Sequence, residues 1–130
     1  MPPVTVVLDG QSVLATAGSS TLMTCSTVLS TDAVPADPVE GLEAAPGDRL
    51  TLVLPEGWQV LGWEGYDQSA TGEGITVWPP QDTPGRPRQI EVPVPVRTGP
   101  SIAGWTIRVA GPLDLVVGTL DVVVRVTVAG

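Results

Sequence analysis

The sequence contains no histidine, no lysine, no asparagine and no phenylalanine, so all six of its basic residues are arginines. Without histidine, the chain has neither the Ser-His or Cys-His pair of many nucleophilic enzymes nor an imidazole ligand for a metal ion. Without lysine, it can form no Schiff base and contains no phosphate-binding loop of the GxxxxGK type. These absences exclude most enzyme mechanisms, and we therefore predict a protein that is not an enzyme and uses no cofactor.

Cysteine is also scarce, because Cys25 is the only one in the chain. A single cysteine excludes an internal disulfide, a four-cysteine zinc site and an iron–sulfur cluster. Cys25 shares its parity with Met23 and Thr27 in an alternating run, and the chain has no histidine or lysine that would activate the thiol. We predict that Cys25 is buried and unreactive.

Charged residues make up only 15% of the chain, and the 14 acids outnumber the 6 bases, which gives a net charge of −8. This charge opposes binding to nucleic-acid phosphates and to anionic membranes, so we expect no nucleic-acid partner. The apolar runs are too short to span a bilayer, and the opening Met1-Pro2-Pro3 lacks the basic and apolar segments of a signal peptide. A weakly charged surface rich in valine and threonine favours a secreted, wall-associated or lattice-embedded protein over a free cytosolic enzyme.

The length of 130 residues is that of one domain, and we assign residues 1–130 to it. A chain of this size buries roughly two-thirds of its unfolded surface, which is enough for a core without a metal or a disulfide. Three of the missing residue types, phenylalanine, lysine and asparagine, have AT-rich codons. Their absence indicates a GC-rich genome, either of a bacterium or of a phage that infects such a host.

Apolar and polar residues alternate with a period of two through most of the chain. The alternation is clearest at residues 120–128, and shorter runs predict strands near 4–8, 19–29, 49–54, 57–63, 74–78, 89–96 and 105–110. Each run is bounded by glycine, proline or aspartate, which is typical of an all-β protein. We predict a two-sheet, immunoglobulin-like β-sandwich of about seven to nine antiparallel strands, with a jelly roll or a small barrel as alternatives. Trp105 shares the parity of Ile107 and Val109 and is predicted to lie in the core.

Two prolines mark an edge strand. Pro93 and Pro95 lie two residues apart in the segment 89–96, so both lack the N–H group on the same side of the strand. A strand with this pattern can pair along its other side only. We therefore predict an edge strand whose free side is blocked against further pairing.

The segment 31–48 differs from the rest because it is acidic and rich in proline and alanine. Asp37, Pro38 and Glu40 have the spacing of a helix start and predict a helix of one or two turns. The acids of this segment are a candidate calcium site, but they lack the ordered Asp-x-Asp-x-Asp-Gly spacing, which favours a solvated loop. These acids are Asp32, Asp37, Glu40, Glu43 and Asp48.

Three of the four tryptophans and the only tyrosine lie between Trp58 and Trp78. Aromatic side chains form either core packing or a binding surface for a glycan or a protein. Trp58 and Trp63 are five residues apart, so an unbroken strand would point them to opposite faces unless a bulge at Gly62 intervenes. Core packing is the favoured interpretation of the aromatic cluster, and the alternative is a candidate partner-binding surface. The surface comprises Trp63, Tyr66, Asp67 and Trp78.

The remaining polar residues give weaker signals. Asp67 and Glu73 are a conceivable carboxylate pair for glycoside hydrolysis, but any two acids offer this possibility. Arg86, Arg88 and Arg97 flank the proline-containing strand, where they either bind an anion or balance nearby acids in a chain with a net charge of −8. We predict no catalytic residues and no metal ligands.

Segments in the first half of the chain carry a family resemblance. Residues 4–11, VTVVLDGQ, with AGSS at 17–20, resemble the opening of small immunoglobulin-like β-sandwich domains in exported lipoproteins of high-GC and thermophilic bacteria. Residues 45–55, APGDRLTLVLP, are similar to the strand entry of those domains. The resemblance implies an extracytoplasmic, non-enzymatic module.

These observations lead to two hypotheses about function. The first is a structural or binding β-sandwich module on the surface of a high-GC bacterium, which contacts a protein or glycan partner. The alternative is a structural virion protein of a phage, such as a capsid decoration or a tail-associated component. In that case the contacts would be with copies of itself or with the lattice of the particle.

Overall fold

The computed structural model of the chain describes residues 2–31, 41–69 and 74–130. The short helix predicted at Asp37, Pro38 and Glu40 lies outside these residues, as do Asp32 and Glu73. Within the described ranges, no helix has the length and apolar character needed to cross a bilayer.

The short alternating runs form the strands. The described residues contain eleven β-strands and one 3-10 turn at Pro112–Asp114, which confirms the predicted all-β fold. Turns divide the chain into more strands than the seven to nine that were predicted. For example, Asp9 and Gly10, both with positive φ, form the turn that joins the first two strands into a hairpin. The strands are β1 (Thr5–Leu8), β2 (Gln11–Leu14), β3 (Thr16–Met23), β4 (Val28–Thr31), β5 (Gly41–Ala44), β6 (Arg49–Val53), β7 (Gln59–Ser69), β8 (Ile75–Asp82), β9 (Gln89–Pro93), β10 (Gly99–Ala110) and β11 (Val117–Val128).

The strands form two sheets. Among the described strands, the smaller sheet has the order β2-β1-β6-β9 and the larger sheet the order β4-β3-β11-β10-β7-β8, with β5 also paired to β11. The pairs are antiparallel except for β5 with β11, which run parallel. Each of these sheets ends in two edge strands, so neither closes into a barrel. The architecture agrees with the predicted two-sheet sandwich.

The hydrophobic core is built from the inward-facing residues of both sheets. In β11, the predicted alternation is confirmed, because every second residue from Leu120 to Val128 is buried. Trp105 of β10 is buried as predicted, and Leu52 of β6 is 1% exposed. Branched aliphatic side chains fill most of the core, since they fit the pleated surface of a strand well.

The edges of the two sheets carry prolines. Strand β9 lies at the edge of the smaller sheet, as Pro93 and Pro95 predict. The Val94 N–H donates to the Asp48 carbonyl on the paired side, so the two proline nitrogens point toward the free side. Strand β8, at one edge of the larger sheet, contains Pro79 and Pro80.

The chain turns where the sequence predicts a continuous strand from 19 to 29. The Thr24 N–H donates to the Thr27 carbonyl at 2.8 Å, and the Ser26 and Thr27 N–H groups donate to Thr24 Oγ1. Cys25 lies in this turn and is exposed. The prediction that Cys25 is buried is therefore wrong, because a hydroxyl-closed turn interrupts the alternation.

Candidate functional site

Strand β7 separates the predicted binding residues onto two faces. Trp63 and Asp67 point into the sandwich and are 7% and 1% exposed, whereas Tyr66 points away from it. Trp78 of β8 pairs with Gly65 and packs half-buried against the core. The predicted set is thus not one continuous surface, and Tyr66 is the aromatic member on the outer face of the sheet.

The tryptophans at the start of β7 both contact the core. The register with β10 shifts between Val60 and Gly62, which is the bulge that the spacing of Trp58 and Trp63 allowed for. Trp58 is half-buried against the core and Trp63 is part of it. Core packing is therefore the structural role of these two side chains.

The ring of Tyr66 lies over the backbone of Gly104. Gly104 is the residue opposite Tyr66 on β10, and a Cβ atom at this position would lie 2.5 Å from Tyr66 Cε1 and 2.7 Å from Cζ. Such distances are too short for any real contact, so only glycine leaves room for the ring. The glycine therefore allows the Tyr66 ring to lie close against the backbone on the outer face of the larger sheet.

Apolar side chains surround Tyr66 on this outer face. One cross-strand row runs from Val77 through Tyr66 and Gly104 to Val123. The next row brings Ile75 and Ile102 to either side of Gln68. Ile75 is 58% exposed and Val77 is 67% exposed, although both are large and apolar. We call the following residues the Tyr66 surface: Tyr66, Ile75, Val77, Ile102 and Val123.

Two shallow grooves meet at Tyr66. One, of about 160 Å³, runs past Ser19, Thr106 and Asp121. The other, of about 290 Å³, runs between Tyr66 and the exposed side chains of β8. Thr106 borders both grooves, and its hydroxyl donates to Asp121 Oδ1 at 2.6 Å. The apolar surface therefore has hydrogen-bonding groups along its border.

A polar cluster lies behind Tyr66, on the inner face of β7. Arg97 follows β9 of the smaller sheet, and its Nη1 lies 3.5 Å from Asp67 Oδ1 and 2.9 Å from the Gly74 carbonyl. Its Nη2 donates to Thr76 Oγ1 at 3.2 Å. This guanidinium therefore connects the loop between β9 and β10 with β7 and β8 of the larger sheet.

The carboxyl group of Asp67 is buried, with 1% of the residue exposed. Burial raises its pKa above the usual 3.8, because a charged carboxylate loses its hydration inside the sandwich. The Arg97 guanidinium and a hydrogen bond from the Trp78 side chain favour the charged form and oppose the rise. Asp67 thus fixes Arg97 and the β7–β8 hairpin rather than facing a ligand from solvent.

The other two arginines near the proline-containing strand also have protein partners. Arg86 forms an ion pair with Asp114 at 2.5 Å, and Arg88 Nε donates to the Leu54 carbonyl at 2.7 Å. Together with Arg97, these contacts favour charge balance and internal bonding over anion binding.

The acidic segment and the proposed carboxylate pair are only partly described. Glu43 exchanges two hydrogen bonds with the side-chain amide of Gln11 through its backbone, and Asp48 Oδ2 accepts from the Ala45 N–H. Within the described ranges, no group of three or more His, Cys, Asp or Glu side chains is arranged to hold a metal ion. Glu73, the proposed partner of Asp67, lies outside those ranges.

The sequence does not reveal most of the Tyr66 surface. Ile75 and Val77 have the parity of an ordinary alternating strand, and nothing local indicates that their face lacks a covering layer. The pairing of Tyr66 with Gly104 depends on strand register between distant segments, which the chain does not encode locally. Comparison of the chain with protein-family models, with curated proteins and with solved structures finds no match.

Proposed function

We propose that this protein is a non-enzymatic β-sandwich module that binds a protein partner through the Tyr66 surface. The observation that carries the proposal is the position of Tyr66, which is fixed over Gly104 and flanked by the exposed Ile75 and Val77. Large apolar side chains that cluster on a solvent-facing sheet are a common mark of an interaction site.

The composition of the surface supports a protein partner. Its centre is aromatic and aliphatic, and its border holds the exposed Glu64 and the hydrogen-bonded pair of Thr106 and Asp121. An apolar centre with a polar rim is the usual anatomy of a protein interface. A tyrosine that is already held in place loses little conformational freedom on binding, which favours it as an energetic centre.

The place of action that we propose is the surface of a high-GC bacterium, outside the cytoplasm. The low content of charged residues and the resemblance of residues 4–11 and 45–55 to exported lipoprotein domains support this location. The lack of histidine and lysine supports a role without catalysis.

A structural role in a phage particle is the second candidate. A second exposed apolar region, away from Tyr66, favours it: Met23, Leu115 and Val117 line one groove, and Leu113 in the adjacent 3-10 turn is 89% exposed. A component of a shell or tail would cover both regions with neighbouring subunits.

The test compares two arginine variants in binding to envelope fractions of the source bacterium and to purified phage particles. Tyr66→Arg places a charge at the centre of the surface, whereas Ser12→Arg places the same charge on the exposed β2 of the other sheet. Saturable binding to the envelope that is lost in Tyr66→Arg, kept in Ser12→Arg and abolished by protease treatment supports the proposal.

The other outcomes identify a different partner or contradict the assignment of the surface. Binding that survives protease but is lost after glycosidase treatment identifies a glycan as the partner. Saturation of phage particles at a fixed ratio to the shell protein favours the virion role. Equal binding by both variants overturns the assignment of the Tyr66 surface.

A further inference from the structure

The edges of the two sheets differ in how well they are protected. Among the described strands, β9 and β8 carry prolines at their edges. At the edge strand β2, the Gln11 amide binds the backbone of Glu43 on β5. Strand β4, at the other end of the larger sheet from β8, contains neither proline nor charge, so another strand can add easily along its outer side.

The side chains of β4 are apolar and exposed. Val28 is 61% exposed and Leu29 is 58% exposed. Leu29 pairs across the sheet with Leu22, which is buried. The Leu29 side chain therefore lies on the same, core-facing side of the larger sheet, at the exposed edge strand. On the other face, Val28 continues a row formed by Met23 and Val117.

Charge restricts the kind of partner that fits this edge. The chain has a net charge of −8, so two copies repel each other over most of their surfaces. Residues 23–31 contain no charged side chain, and the nearby Asp114 is paired with Arg86. Within residues 23–31, pairing of two copies along β4 therefore brings no like charges into contact.

We propose that β4 is a self-association edge, along which two copies of this chain pair antiparallel about a two-fold axis. Strands related by such an axis are self-complementary, because each offers the N–H and C=O groups that the other needs. The occupant is a second copy, so the inference stands apart from the partner proposed for the Tyr66 surface.

The symmetry also sets the register. Opposed residues in an antiparallel pair point to the same face of the sheet, whereas neighbouring residues of one strand point to opposite faces. When the two strands are copies related by a two-fold axis perpendicular to the sheet, the axis must therefore lie at a residue that faces its own copy. With the axis at Leu29, this side chain meets its own copy and Val28 faces Ser30 of the second chain. This register covers the exposed Leu29 next to the buried Leu22 in both copies.

The association is expected to be weak and dependent on concentration, because the paired strands are short and the interface is small. It is expected to strengthen with salt, since salt screens the repulsion between two negative protomers. Sedimentation of the whole protein over a range of concentrations and salt tests both points. A chain that remains monomeric up to about 100 µM at high salt overturns the proposal.

One variant in β4 and one control variant in β8 locate the contact. Leu29→Lys places two ammonium groups side by side and is expected to raise the dimer Kd by about a hundredfold. Because Leu29 is exposed, the monomer should keep its fold, and thermal unfolding checks this. Val77→Lys, an equally exposed residue of the Tyr66 surface, is expected to leave the dimer unchanged. A dimer that survives Leu29→Lys, or one that is lost in Val77→Lys, contradicts the assignment to β4.

An engineered disulfide tests the register. With Cys25→Ser as the background, Leu29→Cys should form a linked dimer under mild oxidation, since directly opposed residues have Cβ atoms near bonding distance. Val77→Cys in the same background should remain monomeric. Failure of Leu29→Cys to form a linked dimer in a sample that sediments as a dimer refutes the proposed axis. Because Leu29 lies outside the Tyr66 surface, loss of self-association in the Leu29 variants leaves the function proposed for that surface intact.

Discussion

The contact between Tyr66 and Gly104 makes the sharpest prediction, which concerns the substitution Gly104→Ala. The three atoms nearest to an added Cβ all belong to Tyr66, at 2.5 to 2.8 Å. The backbone at Gly104 is not in the left-handed region, so alanine itself fits the strand. The only conflict is with the tyrosine ring, which must leave its position over the backbone.

The expected cost follows from this conflict. Forcing an extra methyl group into an occupied space costs about 1–3 kcal/mol, which lowers the Tm by roughly 4 °C for each kcal/mol in a domain of this size. If Tyr66 is first replaced by alanine, the conflict disappears. Gly104→Ala should then be neutral or stabilising by up to roughly 1 kcal/mol, because glycine loses more conformational freedom on folding.

The assay is a double-mutant cycle with urea unfolding followed by tryptophan fluorescence. We expect a coupling free energy of about 1–3 kcal/mol between the two positions. Tyr66→Phe keeps the ring atoms that cause the conflict, so Gly104→Ala should remain costly in that background. An equal cost of Gly104→Ala with and without the Tyr66 ring would refute the account of this surface.

Three further predictions concern the interior and the turn. Burial raises the Asp67 pKa above 3.8, so the folded state holds this proton more tightly and the free energy of unfolding should fall as pH rises from 3.8 through the folded pKa. Asp67→Asn should flatten that part of the profile in urea unfolding at a series of pH values, and an unchanged slope would contradict the assignment. Cys25, exposed in its turn, should react with a thiol reagent in native buffer nearly as fast as in denaturant; strong protection of the native thiol would show that the turn is wrong. Leu52→Ala should destabilise the protein by about 2–5 kcal/mol, whereas Leu14→Ala, at a residue 56% exposed, should change stability by no more than about 0.5 kcal/mol; similar losses in both variants would argue against the two-sheet core.

Features set by a few neighbouring residues could be predicted from the sequence. The alternation in β11 identifies its buried residues because side chains on a strand point to opposite faces in turn. The edge position of β9 follows from Pro93 and Pro95, since a missing N–H group has the same effect wherever the strand lies.

The turn at Thr24 escaped prediction for a physical reason. It contains no glycine or proline, and its hydrogen bonds come from a threonine hydroxyl. The alternation of side-chain types continues through residues 19–29, so the sequence pattern looks like that of one strand. The exposure of Cys25 is a direct result of this local side-chain bond.

The candidate surface depends on contacts between distant segments. Tyr66 could be identified as one of few aromatic residues, but its position depends on the register of β7 with β10. The ion partner of the buried Asp67 is Arg97, which lies 30 residues further along the chain, in the loop between β9 and β10. Such pairings form only in the assembled sheets. The prediction from the sequence therefore placed in one surface side chains that lie on opposite faces of β7.

The place of β11 in the larger sheet has a consequence for protein synthesis. It follows all the other described strands along the chain, yet it lies between β3 and β10 and also pairs with β5. A nascent chain from which β11 has not yet emerged holds both flanking strands without the one that joins them, so the larger sheet cannot form completely before β11 is available. The long separation between paired segments also makes folding slow once the chain is complete. Without β11, the strands β3 and β10 lack the partner that both of them pair with, and we expect a peptide of the β11 sequence supplied in trans to complete the sheet by donor-strand complementation.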